Sequence, residues 1–156
     1  MITVAIIGVL AKVAIPYFFG ETRKSKAKSE VATMFAELGT KEEQYKIDNG
    51  VYKTAVACPA SPITAGQDAT PCVATGTPWN AMRVQLPKTN LYCSYAITSG
   101  LSTNTPAPPA PFTMAQPAVG WYYIVATCDM DGSSTTNSTY FTSSYDLKMQ
   151  TSNEGR

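Results

Sequence analysis

The chain has 156 residues and a formal net charge of +1, enough length for one hydrophobic core and no global field to recruit nucleic acid or an acidic partner. It contains no histidine, which removes the commonest general base and the commonest metal ligand together. No histidine-based nucleophile–base set and no phosphate-cradling glycine loop can be assembled; carboxylate and thiolate chemistry is not excluded, and the composition calls for no cofactor.

Residues 1–19, MITVAIIGVLAKVAIPYFF, are apolar except for Thr3, Gly8, Lys12 and Pro16, close to the about 20 residues that cross a bilayer as a helix. No basic stretch precedes them and no small-residue cleavage site closes them, unlike a secretory leader. A domain this small could not wrap a helix that is apolar all round. Residues 1–20 therefore read as a membrane or filament-core helix, with Ile2, Val4, Ile6, Ile7, Val9, Leu10, Val13 and Ile15 as its packing positions. Gly8 and Pro16 interrupt the run. Proline lacks a backbone donor and crowds the preceding turn, so a kink or a meltable stretch is expected just upstream of it.

Residues 21–50 form the second, amphipathic half of the same helix. Val31, Met34, Phe35, Leu38 and Tyr45 fall on one helical face among charged residues, the pattern of a stripe against a core. Asn49-Gly50 ends it, because glycine accepts the left-handed conformation after a helix C-terminus. A helix over residues 1–48 would be about 70 Å long at 1.5 Å per residue, a rod wasteful in a monomer and useful in a polymer.

Residues 51–156 are expected to form a globular head. Residues 53–90, with Pro59, Pro62, Pro71, Pro78 and Pro87, read as loop-rich. LYCSYAIT (91–98), GWYYIVATC (120–128) and STYFTSSYDLKM (138–149) read as strands from their aromatic and β-branched content. The TPAPPAP segment between the first two suggests an extended, exposed surface; STNTPAPPAP (102–111) could carry O-linked sugars, but a solvated surface loop is the preferred reading. The expected fold is α+β: one long helix followed by a small antiparallel sheet.

Cys58, Cys72, Cys93 and Cys128 are spaced by 14, 21 and 35 residues and form no CxxC pair. Zinc cysteines come in close pairs, so two disulfides in an oxidising compartment are the better reading. Of the three possible connectivities, Cys58–Cys72 would close a Pro- and Thr-rich loop, and Cys93–Cys128 would join two strands if residue 97 pairs with 124.

Asp129 and Asp131, followed by Gly132, resemble the opening of a calcium loop, but Tyr140 stands where the bidentate glutamate belongs. Hairpin turns use the same residues, so no metal is assigned. Asn137-Ser138-Thr139 matches a glycosylation sequon. Trp79, Trp121, Tyr122 and Tyr123 have no basic groove beside them in the sequence and read as core aromatics, not a stacking platform.

The N-terminal third carries a resemblance. VAIIGVLAKVAIP, then YFFGETRKSKAKSEV, then EEQYKIDNGVY, covering residues 1 to about 52, resembles type IV pilins and the pseudopilins of type II secretion. The later residues match that pattern only in outline, through TPWNAMRVQLP, a YxY strand, paired cysteines and an Asp-rich turn. The resemblance implies a pilin-like roll and a non-enzymatic subunit. Such a subunit is held in the inner membrane, then polymerised by pilus assembly machinery into an extracellular homo-oligomeric filament serving adhesion or motility.

A pseudopilin of a secretion piston is the alternative the resemblance leaves open, and a monomeric membrane-anchored periplasmic module the one the residues leave open. In the family the mature chain begins further upstream with a phenylalanine and a nearby glutamate, so the resemblance implies residues before Met1. Lys12 departs from the small apolar residue usual there. Arg23, Lys24, Lys26 and Lys28 would by charge bias hold their side cytoplasmic, whereas the resemblance and the cysteines place the head outside the cytosol.

Overall fold

The computed structural model describes residues 2–132 and 136–154, with side chains described from Thr22 onward except Arg23. A single helix, α1, runs over Ile2–Asn49, and its assignment is continuous through Gly8 and Pro16. The filament-core positions from Ile2 to Ile15 lie outside the described side chains. Among the described residues, no helix is long and apolar enough to cross a membrane.

From Ala27 onward α1 has a buried stripe. Ala27, Val31, Met34, Phe35 and Leu38 are all buried, and Tyr45 packs half-buried at the edge of the same cluster. The helix stops where Asn49-Gly50 predicts: Gly50 has φ 78°, and its N–H donates to Lys46 O at 2.7 Å. Only glycine takes that left-handed geometry without a Cβ penalty.

The head contains β1 (Ala55–Cys58), β2 (Gln67–Asp68), a 3-10 turn over Thr70–Val73 and α2 (Pro78–Ala81). These are followed by β3 (Asn90–Leu91), β4 (Cys93–Gly100), β5 (Trp121–Cys128), β6 (Ser138–Ser143) and β7 (Gln150–Ser152). Five strands form one sheet in the order β1-β4-β5-β6-β7, and β2 and β3 pair separately. Every pairing is antiparallel. The architecture is therefore α+β, one long N-terminal helix with a small antiparallel sheet.

Residues 53–90 hold more regular structure than their prolines suggest. Ala55 pairs with Ile97 and Cys58 with Tyr95, so β1 becomes an edge strand, where the fourfold AVAC run needs only one partner. Thr77 caps α2 by accepting from Asn80 N, and Pro78 occupies its first turn, a position that tolerates a missing N–H. The strand expected over 138–149 breaks after Ser143. Asp146 turns the chain there, accepting from Lys148 N at 2.9 Å while its own N–H donates to Ser143 Oγ at 3.1 Å.

β5 separates two cores. Tyr122, Ile124, Ala126 and Cys128 face α1 and join the main cluster with Tyr95, Ile97 and Trp79. Trp121 and Tyr123 face the other way and build a second cluster with Phe112 and Phe141. The alternation is the period of two that a strand imposes.

That second cluster changes the reading of the proline-rich segment. Residues 101–120 fold back over the outer face of the sheet, with Pro106, Phe112 and Pro117 buried. Phe112 stacks on Phe141 with ring centroids 5.0 Å apart. Tyr123 Oη donates to Ala107 O, and Trp121 Nε1 donates to Asn104 O, both at 3.0 Å. The segment is a strap whose solvent side alone is exposed. The apolar outer face of β5 and β6 needed a cover, and Phe112 supplies it.

Candidate functional site

The feature that joins the long helix to the head is a row of carboxylates along α1. Glu30, Glu37 and Glu42 each accept backbone N–H groups from the head. Glu30 takes Tyr92 N and Cys93 N at 3.0 Å and the Tyr95 hydroxyl at 3.0 Å. Glu37 takes Gln85 N at 2.8 Å. Glu42 takes Lys53 N at 2.9 Å. Buried backbone donors must find acceptors, and charge-assisted bonds of this kind are stronger than neutral ones. The helix is thereby fixed to the start of β4, to the chain after α2 and to the approach to β1.

Glu30 and Glu42 are buried, Glu42 completely. Burial raises the Glu42 carboxyl from 4.5 to about 7, against the lowering effect of its bond to Lys53. Its Oε1 has no hydrogen-bond partner, so one oxygen of the carboxyl is desolvated without compensation. Burial, and then the Glu30 charge, push the Tyr95 hydroxyl well above its ordinary value, which keeps it a donor to Glu30.

Nearer the helix end, Lys46 Nζ donates to Tyr52 Oη at 3.0 Å and Tyr52 Oη donates to Glu43 at 2.8 Å. The Tyr52 ring packs edge-on against Tyr122 at 4.8 Å. Burial, and then the bond to Glu43, raise the Tyr52 hydroxyl. At the other end Lys28 reaches Glu154 at 3.4 Å, tying the chain beyond β7 to α1.

The four cysteines form two disulfides, Cys58–Cys72 and Cys93–Cys128. The register of β4 and β5 sets Ile97 opposite Ile124 and Cys93 opposite Cys128. The first bridge ties β1 to the 3-10 turn, and the second staples two central strands at the end where Glu30 binds.

Asp129 Oδ1 accepts from Gly132 N at 2.7 Å, the geometry of a tight turn. Among the described residues, no group of three or more His, Cys, Asp or Glu could hold a metal ion. Ser138 of the sequon is buried in β6, and its hydroxyl donates to Asn153 O at 3.0 Å. Trp79 and Tyr122 lie in the main core, Trp121 and Tyr123 under the strap.

The carboxylate row was not singled out from the sequence. Its signal is present: Glu30 and Glu42 occupy the same helical face as Ala27, Val31, Met34 and Leu38, and an acid on an apolar stripe calls for a partner. Compared with family models, with curated proteins and with solved structures, the chain matches none. What its fold defines is an α+β head clamped to the C-terminal half of one continuous helix.

Proposed function

We propose that the chain is a structural, non-enzymatic subunit of a type IV pilus that polymerises through α1. One observation carries the reading: α1 is continuous over 48 residues, and among its described side chains, which start at Thr22, the first one buried against the head is Ala27, beyond the apolar run of residues 1–19. An apolar helical run ahead of the region packed on its own head is suited to burial among copies of itself. The pilin-like motifs over residues 1 to about 52 support the same reading.

In this role the subunit is held in the inner membrane by residues 1–20 and then packed with identical helices in an extracellular filament. Lipid is already apolar, so leaving it yields little hydrophobic free energy; close packing and polar pairing must favour the filament. The carboxylate row makes helix and head one body, so load on the head passes directly to the filament core. Gly8 and Pro16 supply the weak stretch that would adapt on moving from lipid to filament.

Cysteines placed at Ile7 and Ala14 test this. In cells, the filament reading expects an intersubunit disulfide ladder, and only monomeric product would overturn it. Electron microscopy of the same cells separates a pilus from a secretion pseudopilus, since only the former yields long surface fibres.

A further inference from the structure

Residues 50–54 carry the chain from the end of α1 to β1, and this crossing is tied down through side chains. Lys53 N donates to Glu42 at 2.9 Å. The Tyr52 hydroxyl joins Glu43 and Lys46, and the Tyr52 carbonyl accepts from Ser99 Oγ at 3.3 Å. Thr54 Oγ1 accepts from Ser99 N at 3.2 Å. Pairing of β1 with β4 begins at Ala55. A cavity of about 550 Å³, bounded by Lys46, Gly50, Val51, Tyr52 and Val119 among its walls, gives the crossing room to move. A segment with few buried contacts opens at low cost.

Glu42 is the inner anchor of the crossing. It is completely buried; one oxygen holds Lys53 N, and the other, Oε1, has no partner. A neutral carboxyl tolerates that place, whereas a carboxylate there has lost water from an oxygen that nothing else satisfies. The titratable and charged groups around it are Glu43 and Lys46 on α1, Tyr52 and Lys53 on the crossing, and Tyr122 on β5. Burial governs its charge ahead of the bond from Lys53 N and the opposing pulls of Glu43 and the Lys53 ammonium. Burial also pushes both tyrosine hydroxyls up, so they stay neutral. With no histidine in the chain and all four cysteines in disulfides, a change of charge near neutral pH at this junction falls to a carboxyl.

We propose that Glu42 is a pH-operated latch: as the neutral acid it holds residues 50–54 against the end of α1, and as the carboxylate it lets them swing out about Gly50. Gly50, at φ 78°, is the hinge, because glycine leaves the left-handed region without a Cβ penalty. Ala55, paired with Ile97, is where the movement stops. Opening hydrates Glu42 and parts the Tyr52 ring from Tyr122, while the sheet and the bonds of Glu30 and Glu37 stay closed. The Glu42 carboxyl lies at about 7 with the crossing closed and returns toward 4.5 when it is open. The opening constant is therefore lowest below about pH 4.5, rises by up to tenfold per pH unit, and is level above about 7. The whole change is about three-hundredfold.

The test is amide hydrogen exchange of the full-length chain in detergent, read residue by residue by NMR between about pH 5 and 8, with and without urea below the unfolding transition. After correction for the intrinsic rate, protection of the Lys53 N–H is expected to fall about fiftyfold over that range and to flatten above about pH 7. The fall is expected to be indifferent to low urea. Amides of the central strand β5 exchange only when the head unfolds, so they are expected to be better protected and to respond to urea. Glu42→Gln is expected to hold Lys53 protection level across the range, and Glu43→Gln to keep the wild-type fall.

Lys53 exchanging in step with β5, with the same urea response, would overturn the latch, because the opening would then be unfolding of the whole head. Level Lys53 protection across the range in wild type would overturn it as well. A fall that survives in Glu42→Gln, or vanishes in Glu43→Gln, would assign the titration to another group and reject Glu42. Each readout concerns a single subunit, so the latch and the Ile7–Ala14 crosslink stand or fall separately.

Discussion

Glu42 is completely buried and takes a single backbone donor on one of its two oxygens. Its carboxyl, lifted by burial to about 7 from 4.5, is bound to a proton more tightly in the folded chain than in the unfolded one. The stability it supports is complete below about pH 4.5 and is lost as pH rises through about 7. At 1.36 kcal/mol per pKa unit the loss is about 3 kcal/mol. Glu42→Gln keeps an oxygen for Lys53 N and removes the titration. Urea unfolding is expected to show wild type weakening between pH 5 and 8 and the variant holding level, so parallel pH curves would count against this account.

Gly100 illustrates close approach. A Cβ there would stand 2.5 Å from Trp121 Cζ2 and 2.8 Å from Cε2. The indole has little room to retreat, since its ring stacks on Tyr123 at 5.8 Å and its Nε1 is bonded to Asn104 O. Gly100→Ala is expected to cost about 1–3 kcal/mol through overpacking, read as a lowered melting temperature with loss of the near-ultraviolet tryptophan signal.

At the scale of elements, the two disulfides close loops of different length. Cys93 and Cys128 are 35 residues apart, Cys58 and Cys72 only 14. Loop entropy gives about 4 kcal/mol for the first and about 3 kcal/mol for the second. Replacing each pair by alanines and measuring unfolding at constant pH is expected to rank them in that order. A greater loss at Cys58–Cys72 would mean that packing around β1, not chain entropy, sets its worth.

The strands themselves were legible. Aromatic and β-branched runs located β4 and β5 within two residues of their ends, because a strand buried on both faces keeps a dense apolar signature. β1 and the strap were not legible. β1 depends on the free edge of β4, and the strap depends on the outer aromatics of β5 and β6, partners that a local reading of proline-rich sequence does not contain.

For the whole molecule, helix and head form one unit through Glu30, Glu37 and Glu42, the Lys28–Glu154 pair and the stripe from Ala27 to Leu38. Removing Glu30 tests that coupling. Glu30→Ala would leave two backbone N–H groups and a tyrosine hydroxyl without their acceptor, a cost of about 3–5 kcal/mol. Hydrogen exchange is expected to show β4 and the helix around residue 30 opening together, and protection unchanged there would refute the clamp.

The sequence by itself determined the long helix and its stop at Asn49-Gly50, through the hydrophobic period and the conformation of glycine. For the cysteines it left three connectivities and favoured the two bridges found. Only the tertiary structure decided that Glu30 and Glu42 are buried clamps and that the proline-rich segment covers a second core. Those arrangements arise between residues far apart in the chain, where the deciding quantity is which unpaired donor or apolar face lies within reach.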